Sequence, residues 1–252
     1  MNIAWDAGSY RDNFSFVSEY GKAVVDLVSP GEGLALDLGS GTGALSGSLR
    51  EKGYEVIGID DSEEMVRLAR SSHPDINFMK ADALSFSLGK KADVIFSNAV
   101  FHWIDGKDQE RLISNISANL RQGGELVAEF GGKGCAEAVH SSLERAFERR
   151  GLSYPRVFYF PSIGEYAPIL ERHGLEVRYA MLFDRPTPQK PGRSVKDWVR
   201  MFVKKPFEGL PEGLTEEIIN EAEENLRPRL LLPDGTWFID YVRIRLKAIK
   251  QA

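Results

Sequence analysis

A single cysteine, Cys135, among 252 residues leaves no internal disulfide and suits a reducing compartment. No apolar run approaches the ~20 residues of a membrane-spanning helix, so no membrane partner is expected. The chain opens Met-Asn-Ile-Ala-Trp-Asp, without the basic region and apolar core of a secretion signal, and a cytoplasmic location is the expectation. Cations are in deficit: the net charge is -5, which argues against a nucleic-acid partner, since such binding relies on a basic surface. His73, His140 and His173 have no Cys, Asp or Glu at zinc-ligand spacing, so no metal is expected. There is no Gly-x-Ser-x-Gly elbow, and Cys135 has no histidine partner in its local sequence. What is left, 42% hydrophobic and 27% charged, is ordinary globular composition at a length that suits one large α/β domain. Nothing in it points to an oligomeric state.

The most informative stretch is Leu34-Ala35-Leu36-Asp37-Leu38-Gly39-Ser40-Gly41-Thr42-Gly43. The apolar run reads as a buried strand, and Ala44–Lys52 reads as the helix after it. Glycines between them permit positive φ and close approach of a ligand, and the helix N-terminus offers free N–H groups. Gly39, Gly41 and Ala44 also satisfy a relaxed dinucleotide pattern, so a nicotinamide-dependent oxidoreductase is one reading. Asp37 sits at the strand end, where its carboxylate can hold an ammonium group. A second strand ends in Asp60, placed to accept both hydroxyls of a ribose, with Asp61 a further contact or a turn residue. A third, Ile76–Lys80, leads to Ala81-Asp82-Ala83, where Asp82 can accept from the exocyclic amine of an adenine and Ala83 offers an N–H. Three strand-end carboxylates with no Lys or Arg in the loop suit a cofactor with amine, ribose and adenine but no phosphate. S-adenosylmethionine has those parts. A non-catalytic cofactor-binding subunit is a third reading.

These segments, with Gly58-Ile59-Asp60-Asp61-Ser62-Glu63-Glu64-Met65, Phe96-Ser97-Asn98-Ala99-Val100-Phe101-His102-Trp103 and Leu120-Arg121-Gln122-Gly123-Gly124-Glu125-Leu126, resemble the class I S-adenosylmethionine-dependent methyltransferases. Within that superfamily Asn98–Trp103 is most similar to the trans-aconitate methyltransferase group, and the resemblance is strong over residues 30 to 130. It implies S-adenosylmethionine as cofactor, held by Trp5, Tyr10, Asp37, Gly39, Ser40, Gly41, Thr42, Gly43, Asp60, Asp61, Met65, Asp82, Ala83, Asn98, Ala99 and Val100. It also implies an N-terminal segment folded over the cofactor and a small-molecule acceptor, with methylation of a carboxylic acid the favoured reaction. The resembling enzymes usually carry Gln where this chain has His102. Gln cannot be a base, so His102 is expected to orient the acceptor rather than deprotonate it. Trp103 is a pocket wall or plain core.

The fold class expected is α/β, a Rossmann-like sheet of seven mostly parallel strands with an antiparallel last strand and helices on both faces. Strands are expected at Leu34–Leu38, Glu55–Asp60, Ile76–Lys80, Asp93–Asn98, Glu125–Phe130, Leu175–Phe183 and Trp237–Ile249. Helices are expected at Lys22–Val28, Ala44–Lys52, Ser62–Ser71, Lys107–Leu120, Ala136–Arg150, Ile163–His173, Ser194–Lys204 and Thr215–Arg227. Gly123-Gly124 is read as the stop of the helix ending at Leu120. The proline-rich run Arg185–Gly192 is read as neither helix nor central strand. A single domain, 1–252, then divides into a cofactor-covering segment (1–30), a cofactor-binding half (31–130) and a substrate half (131–252). The last contains a helical lid over about 186–233, in which Arg200 or Lys204 could meet an acidic substrate.

Overall fold

The computed structural model describes residues 16–251 of the chain, so Trp5 and Tyr10 lie outside the described residues. A seven-stranded sheet runs in the order β3-β2-β1-β4-β5-β7-β6. The strands are β1 (Leu34–Leu38), β2 (Glu55–Asp60), β3 (Asn77–Lys80), β4 (Ala92–Asn98), β5 (Leu120–Gly131), β6 (Leu175–Pro188) and β7 (Phe238–Lys250). The first five pair in parallel, and β7 lies antiparallel between β5 and β6. All five residues of β1 are buried, as expected of a continuous apolar run at the centre of a parallel sheet covered on both faces.

Helices α1 (Phe16–Val25), α2 (Ser46–Glu51) and α3 (Glu63–Ser72) cover one face through Val24, Leu49 and Val66. On the other face, α4 (Gln109–Asn119) and α6 (Ile163–Arg172) contribute Leu112, Ile116, Tyr166 and Leu170. A separate core joins α5 (Glu137–Glu148), α7 (Val195–Phe202) and α8 (Glu212–Leu230) around Trp103, Leu143, Phe147, Trp198 and Leu226. This packed cap stands over the carboxyl ends of the strands. Local chemistry sets several boundaries. Ser62 caps α3 by accepting from the Met65 N–H, and Glu63 and Glu64 follow at the positive end of the helix dipole. Ser194 and Asp197 form a reciprocal capping box that starts α7.

Three expectations are corrected. The strand expected to end at Phe183 runs on through Pro186 and Pro188 as β6. It pairs only with β7, so it is an edge strand, where missing N–H donors are tolerated, and the reading of this run as neither helix nor central strand holds. The cap accordingly begins after Pro188. Gly123-Gly124 do not terminate a helix: the chain is already extended at Leu120 (φ -81, ψ 145), and the glycines stand where the β4–β5 register shifts. Their role is that of a bulge, with Gly123 at φ 71. Arg200 faces Glu216 across the two cap helices at 2.7 Å rather than any pocket, because the opposite face of α7 carries the buried Trp198 and Phe202.

Candidate active site

The strand order reverses between β1 and β4, and such a switch point opens a crevice at the carboxyl ends of the strands. The loop Gly39–Gly43 borders it. Gly39 (φ 75) and Ser40 donate their N–H groups to the Ile59 carbonyl at 2.8 and 2.9 Å, which ties the loop to β2. Asp60 then grips the loop from the end of β2, its carboxylate accepting from the Gly41 N–H at 3.0 Å and the Ser62 N–H at 2.9 Å. Burial raises the Asp60 pKa above its ordinary value. The crevice encloses about 880 Å³, open mouth included.

Gly39, Gly41, Asp60, Asp61, Met65, Asp82, Ala83, Asn98, Ala99 and Val100, all anticipated from the sequence, line this crevice. Asp82 also accepts from the Leu84 N–H at 2.9 Å, so it shapes its own turn. Ser40, Thr42 and Gly43 complete the loop without lining the crevice; a Cβ on Gly43 would meet Phe78 and His73 instead. Asp37 lies buried at the end of β1, accepting from the Ser46 hydroxyl at 2.6 Å, and desolvation raises its pKa to about 7. Asp105 and Asp108, which sequence reasoning did not single out, join Asp60, Asp61 and Asp82 on the wall, and the lining contains no Lys or Arg among the described residues. Five carboxylates without a cation suit a positively charged, phosphate-free ligand and repel a pyrophosphate. Gly41 adds a cradle, since a Cβ there would meet nothing within 4 Å and would project into open space.

A second cavity of about 670 Å³, open mouth included, lies deeper, under the cap. It shares Asn98, Ala99 and Trp103 with the crevice, so the two spaces meet there. Ala99 adopts φ 62, uncommon for a residue with a side chain, and is pinned by its N–H to the Glu129 carbonyl at 2.7 Å and by the Trp103 indole N–H to its own carbonyl at 3.1 Å. His102 lines the deeper cavity, and its Nδ1 accepts from the Gly131 N–H at 3.2 Å. That bond leaves the remaining ring proton on Nε2. Burial, reinforced by Arg243, pushes the His102 pKa well below its usual value, so the ring is neutral.

The polar end of this cavity went unread in the sequence. Glu129 of β5 is fully buried and receives Arg185 at 2.6 Å, Arg243 at 3.2 Å and Arg245 at 2.6 Å. Among the described residues, three guanidinium groups on one carboxylate leave two positive charges in excess. Arg185 is bidentate, but Arg243 uses only Nε, and no described hydrogen bond takes its terminal nitrogens. The rest of the wall is aromatic: Phe158 and Phe160 stack at 5.2 Å and 6°, and Trp103 meets Phe158 at 4.9 Å. Cys135 also faces the cavity, with burial raising its thiol pKa to about 11.

A parallel switch-point sheet, an acidic crevice and a glycine loop gripped by a strand-end carboxylate together define a cofactor-binding α/β protein of the nucleoside type rather than the dinucleotide type. Residues 35–124 match the methyltransferase domain family. An uncharacterized methyltransferase of Schizosaccharomyces pombe is 31% identical over 98% of this chain and 98% of its own length. A trans-aconitate 2-methyltransferase of Azoarcus is 34% identical over 50% of each chain. A crystallised putative methyltransferase of Bacillus halodurans superposes with a TM-score of 0.63 at 16% identity, covering 93% of this chain and 99% of that one. The chain belongs to the class I S-adenosylmethionine-dependent methyltransferases.

Proposed function

We propose that the enzyme methylates a carboxylate oxygen of a small-molecule acid. One observation carries the reading: two cavities of opposite charge meet at Asn98, Ala99 and Trp103, an acidic one for a cationic cofactor and one with surplus guanidinium for an anion. When bound, the cofactor's sulfonium would supply an electrophilic methyl to a carboxylate lone pair, the S–C pair would stay on sulfur as a neutral thioether, and no proton would be released. In this reading Asp37 faces the amine, Asp60 and Asp61 the ribose, Asp82 and the Ala83 N–H the adenine, and Met65 its ring face. Arg243 anchors the acceptor, His102 Nε2–H donates to it, and the rings around it exclude the water that otherwise stabilises a carboxylate nucleophile. Holding the oxygen in line is the main contribution, and alignment of that kind supplies roughly 7–11 kcal/mol in favourable cases. Incubation with methyl-labelled cofactor and a panel of acids, phenols and amines tests this reading. Label released as methanol by mild base marks an ester; alkali-stable label on phenols or amines alone would refute it.

His102→Gln should retain most of the activity, because Gln keeps an N–H donor and no proton has to be removed. At saturating cofactor, where the ionisation of Asp37 no longer limits binding, the rate should also stay flat through pH 6–7, since His102 is neutral throughout. A loss of the ~10²–10⁴-fold that a general base contributes, together with a rate rising through that range, would make His102 a base and the acceptor a hydroxyl.

Asp37 gives a linkage prediction. With a pKa of about 7 in the free protein, its carboxyl is largely protonated at pH 6. The cofactor's ammonium favours the ionised form, so binding at pH 6 should release about one proton, and affinity should rise with pH until about 7. Calorimetry of S-adenosylhomocysteine binding in two buffers of different ionisation enthalpy measures that proton directly. Identical heats in both buffers, or a proton that survives Asp37→Asn, would remove Asp37 from the cofactor's amine.

A further inference from the structure

We infer that the acceptor is a monocarboxylic acid with a flat, apolar body, and that a polycarboxylate is refused. The inference rests on the carboxylate-methylating reading above and narrows it. Among the described residues, the strong charge of the deeper cavity is at one end, where Glu129, Arg185 and Arg243 meet. The strand register gathers it there: Asn98 of β4 pairs beside Glu129 of β5, Glu129 beside Arg245 of β7, and Arg185 of β6 beside Tyr241 of β7. Alternation along β7 then puts Arg243 on the same side as Tyr241 and Arg245. The guanidinium cluster is thus a fixed feature of the sheet rather than of flexible surface chains.

Among the described residues, the remaining walls carry no cation. Phe158 and Phe160 present parallel rings 5.2 Å apart, Trp103 leans on Phe158 at 57°, and Trp198 meets Phe202 at 5.6 Å from the cap. His140 stands behind these rings, 5.3 Å from Phe158 and 5.9 Å from Trp198; burial lowers its pKa to about 4, so it adds no charge at neutral pH. One carboxylate can therefore reach Arg243 while the body of its molecule lies among rings. A second or third carboxylate on a molecule of similar size would be pressed against those rings, desolvated and unpaired, a strongly unfavourable arrangement. Arg200 and Lys196 of the cap do not supply the missing charge, since they are held by Glu216 and Glu223.

The test compares cinnamate with tricarballylate, in binding to the S-adenosylhomocysteine-loaded protein and in methyl transfer from the labelled cofactor. We expect cinnamate to bind and to be esterified with a kcat/KM at least about 100-fold above that of tricarballylate. Arg243→Met should weaken cinnamate binding by about 10–100-fold, the range for a hydrogen bond to a charged group, and leave the binding of cinnamamide unchanged. Arg185→Met keeps Glu129 paired with two arginines and serves as the second variant, with the same expected pattern. Trp198→Ala should weaken both ligands alike, because it removes ring contact and not charge. Preference for tricarballylate, or equal loss of cinnamate and cinnamamide in both arginine variants, overturns the monocarboxylate assignment alone. Methylation of phenols or amines with no ester from any acid overturns the underlying reading as well.

Discussion

Glu129→Ala should lower the unfolding free energy by about 3–5 kcal/mol, the range for breaking a buried ion pair by removing one partner. Glu129 is fully buried and is the sole described acceptor of the side chains of Arg185 and Arg243, and it shares Arg245 only with the Ala23 carbonyl of α1. Without it three guanidinium groups, none more than 15% exposed as side chains, face one another around the cavity. The repulsion falls on β5, β6 and β7 together, so the edge of the sheet and the floor of the acceptor cavity should loosen as one unit. Urea denaturation followed by circular dichroism measures the change. Glu129→Gln separates charge from shape: it keeps an acceptor of the same size but leaves the three cations without a counter-charge, and it should lose more than half of the same stability. A change under about 1 kcal/mol in both variants would mean that the arginines reach water and behave as surface pairs. The cavity would then hold no surplus of positive charge to attract an acid.

The lining of the acidic crevice was legible in the sequence because its chemistry is local. Asp60, Asp61, Asp82 and Asn98 each follow an apolar strand within a residue or two, and parallel strands deliver their ends to one edge. Reading strand ends therefore amounted to reading the crevice lining. The charged end of the second cavity was illegible for the opposite reason. Arg243 and Arg245 alternate with Val242, Ile244 and Leu246, the pattern of any strand with one face in water, and nothing local reveals that Tyr20 and the cap cover the polar face. Their partner Glu129 lies 114 residues from Arg243, and the pairing exists only through sheet register. The prolines of β6 rightly exclude a central strand, but the continuation of the strand past Phe183 is missed for a related reason: an edge position depends on the order of the sheet, which short-range pattern does not encode. Arg200 or Lys204, a helical turn apart, reads in the sequence as able to meet an acidic substrate, but the packing of α7 turns its apolar face inward and leaves Arg200 to Glu216.

Two neighbouring glycines should fail in different ways when each is replaced by alanine. Both have positive φ, 75° at Gly39 and 53° at Gly41, so each replacement costs about 1–2 kcal/mol in backbone strain. They differ in what the new methyl meets. At Gly39 the Cβ would lie 2.2 Å from Val100 Cγ2, a stiff, buried side chain of the sheet core. Relieving that overlap means moving Val100, and with it the turn that carries Asn98 and Ala99, which adds the roughly 1–3 kcal/mol of an overpacked core. Gly39→Ala should therefore lower stability by about 2–5 kcal/mol and damage cofactor and acceptor sites at once. At Gly41 the Cβ meets nothing within 4 Å, because the position opens into the crevice. Gly41→Ala should lose only the strain, yet place a methyl where the cofactor must approach the backbone, so cofactor affinity should fall far more than stability does. Thermal unfolding with and without S-adenosylhomocysteine reads both quantities in one experiment: a large drop in the ligand-free midpoint for Gly39→Ala, and for Gly41→Ala a near-normal midpoint that the ligand no longer raises. A Gly41→Ala protein still fully stabilised by the ligand would mean that the glycine loop shapes the fold without touching the cofactor.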